Sequence, residues 1–160
     1  PEGVDIVKKL VADADVFLTN VRPGGLERSG LDYDSLKELN PGLVYCTLTG
    51  YGLEGPDKDR PGFDIASFWS RAGLARLFPP KGMEPFLLRT AFGDHVTSIA
   101  ASSAINAALV QKFRTGKGQL VEASLLRAGL YSVGSDLAIQ LFFDKPSHTD
   151  RDGTYGSCSD

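Results

Sequence analysis

The stretch FGDHVTSIAA, residues 92–101, sets Asp94 and His95 side by side at the head of an Ala- and Ser-rich segment. Aspartate is among the preferred helix N-caps, and Gly93 before it allows a sharp entry into a helix. The same geometry suits a nucleophile: the helix dipole and the free N–H groups of a first turn keep a carboxylate ionised and fit to attack an activated carbonyl. Position alone leaves both readings open, and on local rules the cap is the simpler one. His95 has the chemistry of a general base, but one histidine beside one aspartate lacks a third group to orient it. A surface or supporting histidine is its simpler reading.

A second stretch with chemical potential is NVRPGGLERSG, residues 20–30, which follows an apolar run, contains glycines that let backbone approach a ligand, and supplies Arg22 and Arg28. A solvated strand-to-helix loop is its plain alternative. Gly116-Lys117-Gly118 resembles part of a phosphate loop, but the glycine four residues ahead and the following Ser or Thr are missing, so it reads as a tight turn. His148 sits in a polar tail and receives no role.

The bulk numbers set the frame. The chain has 160 residues, 42% hydrophobic and 23% charged, enough for one domain with a sizeable core. Lys and Arg (17) nearly balance Asp and Glu (20), so bulk electrostatics gives no reason to expect a nucleic-acid partner. Cys46 and Cys158 show neither metal-ligand spacing nor a disulfide framework, which fits unpaired thiols in a reducing, cytoplasmic setting with no bound metal. No apolar run is long enough to span a bilayer, and no membrane partner is expected. The opening at Pro1 inside a helical pattern and the polar end at Asp160 read as a fragment of a longer chain.

Periodicity then supplies the elements. Val4, Ile6, Val7, Leu10 and Val11 recur at helical spacing, and VFLTN follows as a buried strand. Pro23-Gly24-Gly25 reads as a break before a short helical turn over Leu26–Ser29, and Asp32 to Asp34 opens a helix over SLKEL. LVYCTLTG, residues 43–50, is a second strand, followed by a Gly/Pro/charge-rich loop over Tyr51–Gly62 where open α/β sheets tend to place ligands. FDIASFWSRAGLARLF reads as helix, with Asp64 as its N-cap. VTSIAASSAINAALVQKF reads as a tightly packed, largely buried helix, RTGKGQ as its break, QLVEAS as a strand, and LLRAGLYSVGSDLAIQLFF as one long apolar helix. Strands alternating with helices predict an α/β domain with a mostly parallel sheet.

NVRPGGLERSGLDYDSLKELNPGLVYCTLTGYGLEGP, then RPGFD, FGDHVT and RTGKGQLVEASLL, in that order and spacing, resemble the class III CoA-transferase family. That family includes formyl-CoA and carnitine CoA-transferases and the related α-methylacyl-CoA racemases. The resemblance runs over nearly all of the chain.

What the resemblance implies is a longer protein with a Rossmann-like large domain and a smaller one. Residues 1–143 would be part of the large CoA-binding domain, and 144–160 a linker toward the smaller domain. Two copies would form an interlocked homodimer. Asp94 would be the catalytic nucleophile; Asn20, Val21, Arg28 and Arg60 would contact coenzyme A, present as an acyl-CoA substrate, with a carboxylic acid as acceptor. Racemase members carry His in the RPGFD-like motif as a proton-moving base. Here Phe63 stands in that place and suits a pocket wall, which favours CoA transfer over an α-methylacyl-CoA racemase-type isomerase; a non-catalytic CoA-binding or dimer-scaffold fragment is the other alternative.

Overall fold

A computed structural model of the chain describes residues 2–80, 82–87 and 89–144. The segment read as a linker, apart from Asp144, lies outside them, as do His148 and Cys158. The elements run α1 (Glu2–Ala12), β1 (Val16–Thr19), α2 (Pro23–Ser29), α3 (Tyr33–Leu39), β2 (Val44–Thr49), a π-helix (Asp64–Arg71), α4 (Leu74–Leu77), α5 (Phe92–Thr115), β3 (Gln119–Ser124), α6 (Leu125–Ser132) and α7 (Gly134–Phe143).

The three strands form a parallel sheet in the order β1-β2-β3, with Val44 opposite both Val16 and Gln119. Parallel neighbours require crossovers, which the intervening helices provide. β2 lies in the middle, and Val44 to Thr47 are all buried, which is why this strand reads as a nearly unbroken apolar run. Alternation splits its side chains between two cores. Val44 and Cys46 pack with Ala101 and Ala108 of α5 and with Val121 and Ala123 of β3, while Tyr45 packs with Val11, Leu36 and Leu43 on the α1 and α3 side. Helices therefore cover both faces. A third cluster of Phe68, Trp69, Leu74, Leu125 and Ala128 joins the π-helix and α4 to α6.

Polar side chains fix the joints between these layers. Asn40, just past α3, donates from Nδ2 to the carbonyls of Val11 (3.0 Å) and Ala14 (2.9 Å) and accepts from the Gly42 N–H (3.0 Å). It thereby satisfies carbonyls that the end of α1 leaves open. Tyr45 donates its hydroxyl to the Leu31 carbonyl at 2.8 Å and lies against the rings of Phe17 and Tyr33. Burial, with the charge of Asp32 adding, pushes its phenol up from 10.0 to about 12. The neutral form is thus favoured in the folded state, so this contribution is whole below pH 10.0 and is lost as pH rises toward about 12. Denaturation across that window is expected to show the native chain losing stability more steeply than Tyr45→Phe. At neutral pH the variant should be about 1 kcal/mol less stable for want of the hydroxyl's hydrogen bond.

Several expectations need correction. Pro23-Gly24-Gly25 does not break the chain but forms the first turn of α2, because proline's fixed φ and missing N–H suit the start of a helix. The long apolar helix expected after β3 is two helices, interrupted at Val133, whose backbone (φ −114°, ψ 23°) leaves the helical region before Gly134 starts α7. α5 is not largely buried: of its buried residues Gly93 meets the π-helix and Ala101 and Ala108 meet the sheet, with Thr97 buried between them, whereas Ile99 is 72% and Phe113 78% exposed. Its other face carries alanine and serine together with the exposed apolar residues Val110 and Phe113. The Gly116 turn is as expected, with a left-handed φ of 73° closing α5.

Candidate active site

The carboxyl ends of β1 and β2 open into a cleft of about 870 Å³, bounded by the loop from Tyr51 to Gly62 and by the first turns of the π-helix and α5. Open parallel sheets gather ligands at this end. Two threonines shape the exits from the strands: Thr19 Oγ1 accepts from the Val21 N–H (3.1 Å), and Thr49 Oγ1 from the Gly52 N–H (3.0 Å). Such short side-chain-to-backbone bonds replace the strand ladder where the chain must turn.

The cleft floor is backbone. Gly50 and Gly62 cross so closely that a Cβ on either would collide with the Cα of the other, and would also stand 2.9 Å from Ser67 Oγ. The loop between them is tied at two points. Glu122 Oε1 on β3 accepts from the Leu53 N–H (3.0 Å), and Asp57 bridges Arg60 (3.1 Å) and Arg71 of the π-helix (3.0 Å).

Asp94, Asn20, Arg60 and Phe63 all line this cleft, so four residues singled out in the sequence come together across segments far apart in the chain. Val21 and Arg28 are not among the lining residues. Val21 is exposed, and the Arg28 guanidinium folds back over α2, with Nη1 3.4 Å from where a Cβ on Gly24 would stand. Arg22 and Lys58 line the cleft instead, as do His95 and Ser98. Arg22 was offered by the glycine-containing stretch NVRPGGLERSG that follows the first strand; Lys58 carried no signal beyond its loop.

The capping arrangement differs from both expectations. α5 begins at Phe92 after Ala91, which takes a left-handed φ of 62° and supplies no side-chain cap. Asp94 stands exposed in the first turn rather than at the cap position. Asp64, read as the cap of its own helix, instead accepts at Oδ1 from the Gly93 N–H of α5 at 3.0 Å. Burial pushes the Asp64 carboxyl up, the charge of Asp94 adds to this, and the hydrogen bond from Gly93 opposes it. Charge in the cleft is thus divided, with Arg22, Lys58 and Arg60 against the carboxylates of Asp64 and Asp94. Among the described residues no cluster of three or more His, Cys, Asp or Glu could hold a metal ion, and no helix is long and apolar enough to cross a membrane.

The family model for CoA-transferase family III matches residues 1–158. The chain belongs to that family. Among curated relatives, the (R)-2-hydroxy-4-methylpentanoate CoA-transferase of Clostridioides difficile is 42% identical over 134 residues, covering 84% of this chain and 34% of the relative. The human succinyl-CoA:glutarate CoA-transferase is 42% identical over 127 residues, covering 79% and 28%. The chain therefore spans about a third of the length of such relatives. Among solved structures, a CAIB/BAIF family protein from Brucella suis superposes with a TM-score of 0.84 at 37% identity, covering 91% of this chain and 38% of that one. The α/β fold with a parallel sheet is accordingly the fold of this family.

Proposed function

We propose that the protein containing this chain is an acyl-CoA:carboxylate CoA-transferase that works through a covalent intermediate on Asp94. The observation that carries this reading is the placement of Asp94, exposed on the first turn of α5, in one cleft with three cations. Relatives 39–42% identical are named as CoA-transferases.

Coenzyme A is here a substrate, and the donor set fits it. Arg22, Lys58 and Arg60 suit phosphates, the guanidinium forks especially, and a cleft of about 870 Å³ falls within the usual range for small-molecule sites. Asn20, whose side chain both donates and accepts, lies with Arg22 on the same turn after β1. Val21 and Arg28 would contribute from that turn and from α2.

In the reaction an Asp94 carboxylate oxygen attacks the thioester carbonyl of an acyl-CoA, giving a mixed anhydride and releasing the CoA thiolate. The thiolate attacks the aspartyl carbonyl, which frees the donor acid and leaves an aspartyl-CoA thioester. The acceptor carboxylate attacks that thioester, and the thiolate released again attacks the acceptor's acyl carbon. New acyl-CoA departs and the Asp94 carboxylate is restored. Each step exchanges one activated acyl group for another, and the thioester and the mixed anhydrides before and after it must all be shielded from water. Phe63, 74% exposed at the cleft wall, has no proton to give and suits a pocket surface that closes over substrate. In this reading residues 1–143 belong to a large CoA-binding, Rossmann-like domain, 144–160 lead toward a smaller one, and two copies interlock in the cytoplasm.

The test is chemical trapping. Full-length protein incubated with an acyl-CoA and hydroxylamine should acquire a hydroxamate at Asp94, visible by peptide mass spectrometry; modification elsewhere, or none during active turnover, sinks the mechanism. Arg22→Ala should raise KM for acyl-CoA by about tenfold with little change in kcat, as loss of one charge-assisted phosphate contact predicts.

A further inference from the structure

We propose that Asp64 is a positioning residue for Asp94: its carboxylate, delivered from the π-helix, caps α5 from outside and fixes the turn that presents Asp94 to the cleft. The inference rests on the reading of Asp94 as nucleophile given above.

The helix cannot cap itself. Ala91 at the N-cap position has only a methyl group, and its left-handed φ of 62° is a conformation that a non-glycine residue holds only under outside constraint. A side chain 29 residues away in sequence supplies the missing acceptor, Asp64 Oδ1, at 3.0 Å from the Gly93 nitrogen. Gly93 is held at its other end too, because its carbonyl accepts from Thr97 Oγ1 at 2.7 Å, and Thr97 is fully buried. Both peptide groups of the residue preceding Asp94 are therefore fixed by side chains.

Packing enforces the same contact. A Cβ on Gly93 would collide with Asp64 Oδ1 and with the ring of Phe68, so only glycine lets the π-helix approach this closely. Phe68 is fully buried and meets Phe92 edge to face at 6.2 Å, tying the first residue of α5 to the helix that carries Asp64. The π-helical winding over Asp64–Arg71 places Asp64 over α5 while Phe68 and Trp69 remain in the core. Unusual winding of this kind is commonly kept where a site needs it.

The experiment compares Asp64→Ala, which removes the acceptor, with Asp64→Asn, which keeps an acceptor oxygen without the charge. Both are made in the full-length protein, with Asp94→Ala as reference. The donor and acceptor are those the unaltered protein turns over, screened from succinyl-CoA and glutarate. Asp64→Ala is expected to lower kcat by about 10- to 100-fold with KM for acyl-CoA changed by less than about threefold, the pattern of a misplaced reacting group. Amide hydrogens of residues 92–95 should exchange at least about tenfold faster, as loss of a cap implies, and Asp64→Asn should stay within about threefold of native on every measure. Equal losses in Ala and Asn variants, or unchanged exchange in Asp64→Ala, would overturn the proposal. If Asp64→Ala does not fold, Asp64→Ser, whose hydroxyl falls short of Gly93, takes its place. Turnover that survives Asp94→Ala defeats the nucleophile reading instead, and the exchange measurement then decides by itself whether Asp64 holds the turn.

Discussion

Asp94→Asn is expected to reduce CoA transfer by at least about 10³-fold, the scale lost when a covalent nucleophile is removed, while the protein stays folded and loses at most about 1 kcal/mol of stability. The second half of that expectation comes from the structure. Asp94 makes no cap hydrogen bond and is exposed, so its loss leaves no buried partner unsatisfied. What it contributes to the helix is a favourable charge near the dipole's positive end, worth about 0.3–1 kcal/mol. Asp94→Ala should therefore be as well folded as Asp94→Asn, a result that a capping role for Asp94 would forbid. Parallel measurement of acyl exchange and thermal unfolding on both variants checks the two claims together.

Gly62→Ala should do the reverse, damaging the fold first and activity in consequence. The added methyl would run into the Gly50 backbone, and neither chain has room to yield, since Gly50 continues β2 and its carbonyl accepts from the Leu126 N–H at 3.0 Å. Forcing an extra methyl group into such a contact costs about 1–3 kcal/mol or more. Gly50→Ala should cost a similar amount for the same reason. Gly134→Ala is the control: a Cβ there meets nothing within 4 Å, so inside a helix it should be neutral or stabilising by up to about 1 kcal/mol. Denaturant midpoints that place Gly62→Ala beside Gly134→Ala would contradict the crossing described here.

These cases show which parts of the molecule could be read in advance. The α/β alternation was legible because β2 is covered on both faces and so is apolar along its buried length, and because Asp32 caps α3 by accepting from the Ser35 N–H. The burial of α5 was misjudged because alanine and serine are tolerated equally on a packed and on a solvated face. The split between α6 and α7 falls at Ser132-Val133-Gly134-Ser135-Asp136, a short polar run whose glycine is the local signal of a break, but the apolar residues on both sides continue at helical spacing and mask it. In the cleft, Asp94 and Arg60 stood out through motif order, but the bond between Asp64 and Gly93 could not. It depends on how a π-helix turns a carboxylate toward a helix that begins many residues later, and no local pattern encodes that meeting.

The two ties on the loop from Tyr51 to Gly62 have a practical consequence. Leu53 is anchored by Glu122 and Asp57 by Arg71, whereas Glu54, Gly55 and Pro56 between them are exposed, with open space where a Gly55 side chain would stand. Extra residues or a reporter group grafted at Gly55 would bulge outward while the anchors keep Lys58 and Arg60 in register with the cleft. That tripeptide is the natural entry point for tagging the rim of this cleft.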